Sequence, residues 1–428
     1  MTGPTGHGGL SPRRNMRQLA VIFVAISSAY FLSEFFRISH AVIGPDLMRE
    51  FEFTVGGLSL LTSVFFFAFA AQQLPNGFLF DRFGPRVTIP CLLLVAIGGG
   101  LLFATADSLF ALSIARAFMG IGWAVAFMGG LITLARWVPT DRYALAVAAM
   151  IFVGTLGNLF ATSPWAALVA AIGWRTAMVA MNCVAAVSAV LVLLVVRDAP
   201  VGHAYHHRAP ETFTAMMRGL GEVAQIPGWR YIWWMNFHNY AVVITVLALL
   251  GPTYLTDIHD LNLAERGQVL LIMTLAMGVG SLCAGPLDRF LDTRKEIVSL
   301  GSLATATVHA TLALVPNLAL WQATTLFALL GFVGANGVIN LAHARAVLPD
   351  HLIGRGMVTM ALAAFAGSAV LQMVAGFIVD AFPAAASGGA PEIAYRAAFG
   401  FVSVSMFLAV LYHRRVKDAK PSTDRAAG

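Results

Sequence analysis

Twelve apolar runs, each long enough to cross a bilayer as a helix, leave this chain very few ways to fold. They fall at about 19 to 45, 56 to 80, 87 to 105, 109 to 134, 144 to 170 and 175 to 196, then at about 230 to 255, 266 to 290, 296 to 315, 319 to 342, 355 to 381 and 394 to 413. Inside a bilayer no water is available to satisfy backbone N–H and C=O groups, so runs of this length must be helical. Composition agrees: 58% of residues are hydrophobic and 11% charged, against about a quarter charged in soluble proteins. The pI near 9.5 does not point to nucleic acid, because the Lys and Arg lie in short segments between apolar runs and form no basic domain. Cys91, Cys183 and Cys283 sit inside apolar runs without paired spacing and read as small packing residues, with no disulfide framework or metal knuckle. The first run continues past the length of a signal-peptide core and is expected to be an uncleaved span.

The stretch Gly77-Phe78-Leu79-Phe80-Asp81-Arg82-Phe83-Gly84-Pro85-Arg86 is expected to be a tight loop between the second and third runs. It has a partner 207 residues on, where Asp288-Arg289-Phe290 stands for Asp81-Arg82-Phe83; the same offset carries Gly44-Pro45 onto Gly251-Pro252. Two landmarks sharing one offset indicate a duplicated half. The expected organisation is a tail at 1–18, a six-helix bundle at 19–196, a linker at 197–229, a second six-helix bundle at 230–413 and a tail at 414–428. The linker carries His203, His206, His207, Arg208 and Arg218, with an amphipathic piece from Glu211 to Gln225 expected to form an interfacial helix. Flexible loop histidines of this kind are not expected to hold a metal.

Charge sets the orientation, since cytoplasmic segments carry the Lys/Arg excess. Arg13, Arg14 and Arg17, Arg82 and Arg86, Arg136 and Arg142, the linker, Arg289, Arg294 and Lys295, Arg345 and Arg355, and Arg414, Arg415 and Lys417 fall on one side. The alternate segments are acidic or nearly neutral: Arg49 with Glu50 and Glu52, Asp107, Asp257 with Asp260, and Glu392. Both termini are therefore expected in the cytoplasm, in a bacterial inner membrane or one derived from it.

Ionisable groups within the runs cost about 2.5 to 3.5 kcal/mol each at a helix centre and need a partner or a wet cavity. In the first run Tyr30, Glu34, Arg37 and Ala41 share one helical face, so Glu34 and Arg37 can pair directly. His40 lies about 60° from Arg37 on the helical wheel and can face the same cavity. The tenth run has a stripe of Asn336, Asn340 and His343, the seventh offers Asn236, His238, Asn239 and Tyr240, and the fourth places Arg116, Gly120, Trp123 and Phe127 on one face. The asparagines also suit interhelical hydrogen bonding, Trp123 and Phe127 also suit packing, and His309 reads as a packing residue.

The chain resembles the major facilitator superfamily over essentially its whole length. The loop matches G-x-L-x-D-R-x-G-x-R at Gly77, Leu79, Asp81, Arg82, Gly84 and Arg86; Arg116, Gly120 and Gly122 match R-x-x-x-G-x-G of the fourth span; and Gly173-Trp174-Arg175 resembles the G-W-R opening the sixth, echoed by Tyr395-Arg396. The antiporter signature of the fifth span begins at Gly154-Thr155-Leu156-Gly157 but has Asn158 where Pro is expected, which weakens an exchanger or drug-efflux reading. The resemblance implies an all-α membrane fold of two pseudo-symmetric six-helix bundles that rock about a midplane site lined by the first, fourth, seventh and tenth spans. It implies gating or coupling roles for Asp81, Arg82, Arg86, Arg116, Asp288 and Arg289, with the loop carboxylates pairing across the bundle interface. Helix-end dipoles would assist.

Arg37, followed by Pro45-Asp46-Leu47, is similar to the arrangement in the organic-phosphate and organic-anion permeases of the superfamily, which makes it the anion-binding candidate. Those permeases have a second Arg in the seventh span; this chain does not, which argues against a strongly dianionic cargo. The expected substrate site is Arg37, Glu34, His40, Tyr30, Trp123, Asn236, Asn239, Tyr240, Asn336, Asn340 and His343, and the expected activity is proton-coupled or facilitated transport of a small polar anion by a monomer. In length and pattern the chain also resembles the magnetosome-associated permeases, which would make iron the cargo; Arg37 repels a bare cation and would favour a chelate. A transporter-like receptor is a third reading, though neither tail nor linker is large enough for a signalling domain. No nucleophile, nucleotide loop or catalytic metal spacing is present in the sequence, so no enzyme and no cofactor is expected.

Overall fold

The computed structural model describes residues 12–200, 213–385 and 388–422, and every regular element among them is helical. In the first half these are α1 (Pro12–Glu50), α2 (Val55–Thr105), α3 (Leu109–Trp123), α4 (Ala126–Trp137), α5 (Thr140–Phe160), α6 (Ser163–Ile172) and α7 (Trp174–Val195). A linker helix, α8 (Phe213–Ala224), leads to α9 (Trp229–Thr245), a π-helical turn (Val246–Leu250), α10 (Gly251–His259), α11 (Leu263–Leu291), α12 (Lys295–Leu314), α13 (Leu320–Gly334), α14 (Gly337–Val347), α15 (Ile353–Asp380) and α16 (Glu392–His413).

Among the described residues ten continuous or nearly continuous helices are long and apolar enough to span a membrane, and α5 with α6, bent by 46°, makes an eleventh. At 1.5 Å per residue α2 would run about 77 Å, more than twice a bilayer core of ~30 Å. It is divided at Gly84, whose φ of 72° and ψ of 166° leave the helical region, so α2 contributes two spans and the total is twelve. The stretch around Asp81 is thus helical on both sides, and the expected loop shrinks to one residue. Only glycine fits there: a Cβ would need a left-handed φ and would strike the Asp198 carboxylate. Asp198 instead accepts the Arg86 backbone N–H at 2.9 Å.

The duplication is visible in hydrogen bonds. Trp174 and Arg175 both donate to Glu50, and Arg175 also reaches the Ala106 carbonyl. In the second half Tyr395 donates to Asp257 at 2.7 Å and Arg396 to the Ala313 carbonyl at 2.8 Å. Glu50 with Asp257 and Ala106 with Ala313 repeat the offset of 207 residues. Each pair ties the start of its half's last span to the ends of the first and third. The fourth and tenth spans break at matching points, after Trp123 and after Gly334. Near these breaks Gly120 lies against the Phe65 carbonyl and Gly331 against that of Met273, close approaches that a Cβ would prevent.

In the seventh span Pro252 has no N–H to give to the preceding turn, and the helix widens to the π form just before it. The linker helix α8 inserts Val223 into an apolar cluster with Trp229, Ile232, Leu348, Leu352, Met360 and Val416. His203, His206, His207 and Arg208 lie outside the described residues. Cys91, Cys183 and Cys283 are exposed on outer helix faces, contrary to the packing role expected of them. A small apolar side chain costs nothing on a lipid-facing surface, so burial in the sequence pattern did not translate into burial in protein.

The halves meet where α2 packs on α15 and α11 packs on α5 and α6. Small residues allow the close approach: Gly376 lies on Ser59, Gly267 on Ser163 and Ala166, and Ser63 donates to the Ala369 carbonyl at 2.8 Å. At the face opposite the chain termini, Thr54 and the Gly56 N–H both bond Asp380.

Candidate functional site

Halfway along α1, Glu34 and Arg37 are each 5% exposed and form one ion pair: Arg37 Nη1 lies 2.9 Å from Glu34 Oε1 and 3.1 Å from Oε2. Their spacing of three places both on the face turned to the seam between the halves. Tyr240 of α9, in the other half, receives a third bond from Arg37 Nη1 at 3.3 Å. The guanidinium also lies over two rings, Phe69 of α2 at 4.9 Å and Phe365 of α15 at 5.1 Å. These rings come from opposite halves and touch each other, with centroids 4.3 Å apart. Arg37 therefore binds to both halves at once, while its Nε remains buried without a partner. A buried guanidinium with an orphan donor has hydrogen-bonding capacity that is not used up.

Glu34 has a further partner on α5: Asn158 Nδ2 donates to Oε2 at 3.0 Å. Tyr30 completes this side, beside Glu34 and against Phe127 at 5.1 Å between ring centroids.

One turn further on, His40 meets Arg116 rather than Arg37. Arg116 Nη2 lies 3.1 Å from His40 Nδ1, Nη1 donates to the Phe36 carbonyl at 3.0 Å, and the guanidinium lies 4.1 Å from the Phe65 centroid. Since a guanidinium only donates, His40 Nδ1 must accept. Among the described residues no carboxylate partners Arg116, and its Nε too is buried and unsatisfied. Trp123 is stacked on Phe36 and wholly buried, a packing contact.

The polar residues of the second half divide differently from expectation. Among the described polar residues of the second half, Tyr240 is the one bonded to the Arg37 pair. Asn340 donates to the Ile232 carbonyl and to Asn236, which itself donates to the Met360 carbonyl. Asn239 accepts from Ser302 and Asn336 donates within its own helix. His343 bonds the Lys417 carbonyl and stands perpendicular to His413 at 6.1 Å. His238 and His309 bond carbonyls one turn back. The Asn340, Asn236 and His343 contacts lie inside the second bundle, away from Arg37. Spacing on one helix showed which face was polar but not that α9 and α14 would satisfy each other.

At the terminal face Asp288 pairs with Arg294 of its own half at 3.3 Å, where pairing across the interface had been expected. The two residues line a cavity of about 470 Å³ with Gly285, Pro286, Arg289 and Ala342. The capping of the next helix falls to Asp418, which accepts from Thr293 and from the Arg294 and Lys295 N–H groups, as Asp198 does for Arg86. Burial alone would push the Asp418 carboxyl up; these hydrogen bonds hold it below its usual value. Arg82 is exposed and lies over Phe78 and Phe83.

Sequence reasoning missed Asp46 and Arg266, which pair between the halves, as well as Asp380, Phe69 and Phe365. Arg266 in an apolar run was a signal for the first pair; the aromatic pair had none, being two phenylalanines among thirty.

The chain matches the profile of the Major Facilitator Superfamily over residues 26–237 and 232–428. It belongs to that superfamily. Among curated relatives, the "Probable sulfoacetate transporter SauU" of Cupriavidus necator is 27% identical over 276 residues, covering 60% of this chain and 62% of that one. The nitrate/nitrite transporter NrtP of Nostoc punctiforme is 27% identical over 231 residues, 51% of this chain and 43% of the relative. The chloroplastic ascorbate transporter of Arabidopsis thaliana is 23% identical over 320 residues, 67% and 56%. The chain thus spans between 43% and 62% of the length of these relatives. Among solved structures, a D-xylose-proton symporter superposes with a TM-score of 0.75 at 13% identity, covering 93% of this chain and 98% of that one. A bacterial homologue of the human lysosomal transporter Spinster gives 0.74 at 16%, covering 95% and 96%. These superpositions show the fold: two six-helix bundles of the superfamily type.

Proposed function

We propose that this superfamily member is a secondary transporter of a small organic or inorganic anion, with Arg37 as the anion receptor and Glu34 as the group it must leave. The observation carrying this reading is Arg37 itself, buried at the seam, bonded to Glu34 in one half and Tyr240 in the other, with Nε unsatisfied. The three curated relatives above are described as a probable sulfoacetate transporter, a nitrate/nitrite transporter and an ascorbate transporter, all for anions, which supports the same class. Ionised Glu34 neutralises Arg37 and competes with cargo; a proton on Glu34 removes that competition, so proton and anion enter together. Arg116, with no carboxylate among its described partners, adds positive charge beside His40, one turn along α1 from Arg37. Trp123, Asn236, Asn340 and His343 are assigned to holding helices together rather than to the cargo, as are Asn239 and Asn336.

Asp81, Arg82, Arg86, Asp288 and Arg289 are proposed to gate the terminal face, which the Lys/Arg excess assigns to the cytoplasm of a bacterial inner membrane. The bundles at 19–196 and 230–413, joined by the linker at 197–229, are proposed to rock as rigid halves within one monomer. An iron cargo has less support: among the described residues no group of three or more His, Cys, Asp or Glu is placed to hold a metal. Uptake of sulfoacetate, nitrate and ascorbate into proteoliposomes, with and without an imposed proton gradient, tests the reading. Arg37→Ala should abolish uptake, and Glu34→Gln should leave uptake insensitive to the gradient. Wild-type rates in both variants would discard the mechanism.

A further inference from the structure

Asn158 stands where the fifth-span signature has proline, and the structure gives this departure a physical setting. Its Nδ2 is bonded to the buried Glu34 carboxylate, while its Oδ1 is buried with no partner. The glycines before it bring it there: Gly154 lies against the Tyr30 ring and Gly157 against the Phe31 carbonyl, so α5 is pressed onto α1 with no room for a Cβ at either position. The bend that a proline would supply is made slightly later, at the 46° break before Ser163-Pro164, where Pro164 occupies the first turn of α6. With proline displaced to 164, position 158 is free to carry an amide.

We propose that Asn158 is a positioning residue for Glu34 that serves both protonation states of the carboxyl. Facing ionised Glu34, the amide presents its N–H to Oε2. Facing the neutral acid, the same amide turned by half a revolution presents Oδ1 as acceptor for the carboxyl O–H, so the orphan oxygen gains a partner when the proton arrives. An amide donates to one form and accepts from the other without itself changing charge; proline does neither. Asn158 also lies on the element that meets the second bundle: Thr155 faces Gly278 of α11, and Ser163 and Ala166 meet Gly267. The state of Glu34 is thereby passed to the α5–α6 surface that slides on α11. This inference rests on the proton-carrying role of Glu34, and the test separates the two.

The first measurement needs no cargo. Infrared difference spectra of the purified protein, with the Glu34 band assigned by its loss in Glu34→Gln, are compared for wild type, Asn158→Leu, Asn158→Ser and Asn158→Gln. The Glu34 carboxylate band should shift in the leucine and serine variants and return toward wild type with glutamine; serine is small enough to be accommodated where leucine disrupts folding. An unchanged band in a folded Asn158→Leu or Asn158→Ser variant overturns the inference, whatever the cargo. The second measurement is sulfoacetate uptake: both variants should lose about tenfold or more in kcat with little change in KM, and lose nothing further in a Glu34→Gln background. Additive losses in that background overturn the coupling. A band shift with no uptake by wild type would leave the positioning intact and reject sulfoacetate as cargo.

Discussion

Arg266 of α11 is wholly buried, and its guanidinium meets the Asp46 carboxylate of α1 at 2.5 Å across the seam between the halves. It also donates to the Val42 carbonyl, so a cation of the second bundle is seated on the end of the first span. Asp380 makes the reverse connection, a carboxylate of the second bundle bonded to Thr54 and Gly56 at the start of α2. Each half thus contributes a carboxylate to the other at the face opposite the termini, which ties the halves together there.

Removing these ties should favour opening there. Asp380→Ala and Asp46→Asn are each expected to cost the closed state about 1 to 2 kcal/mol, the carboxylates being partly exposed and so partly screened. Distances between spin labels on the ends of α2 and α15 would broaden toward longer values. Unchanged distance distributions in the double variant would remove these residues from the gate.

Arg37→Lys tests forked recognition. A lysine keeps the charge but loses the planar fork and its fit over Phe69 and Phe365, so KM for the anion should rise by about tenfold or more. Equal KM values would mean that charge alone is read.

Tyr240→Phe removes the bond that Arg37 makes to the second bundle and keeps the ring. Anion binding measured by calorimetry should change little, while the rate of exchange across the membrane should change severalfold, because one tie between the halves is gone. A change confined to affinity would place Tyr240 on the cargo instead.

Gly157→Val drives a side chain into the Phe31 carbonyl and should lower stability by about 1 to 3 kcal/mol, read as an earlier thermal transition in detergent. Because the displacement moves α5 away from α1, the Asn158 to Glu34 bond should be lost with it.

Acid should release the C-terminal tail. The Asp418 carboxyl is held below 3.8 by its hydrogen bonds, so its contribution to docking is present above that value and is lost as pH falls through the lowered one. Asp418→Asn should release the tail at neutral pH as well. Protease cleavage near residue 418 reads both; protection that persists in the variant at neutral pH would show that Asp418 does not hold the tail.

Much of this molecule follows from order along the chain. Run length and the absence of water in a bilayer decide that the elements are helices, and the offset of 207 residues decides that there are two copies of one bundle. Spacing within one helix decides that Glu34 pairs with Arg37, because residues three apart on a helix have no choice but to be neighbours. What stands opposite a given face is another matter. The sequence does not say that Tyr240 meets Arg37, that Arg116 takes His40, or that Asn340 and Asn236 satisfy each other inside the second bundle. Those partnerships depend on how helices far apart in the chain are rotated and how closely glycines such as Gly157 and Gly376 let them approach, and only tertiary packing sets rotation and distance.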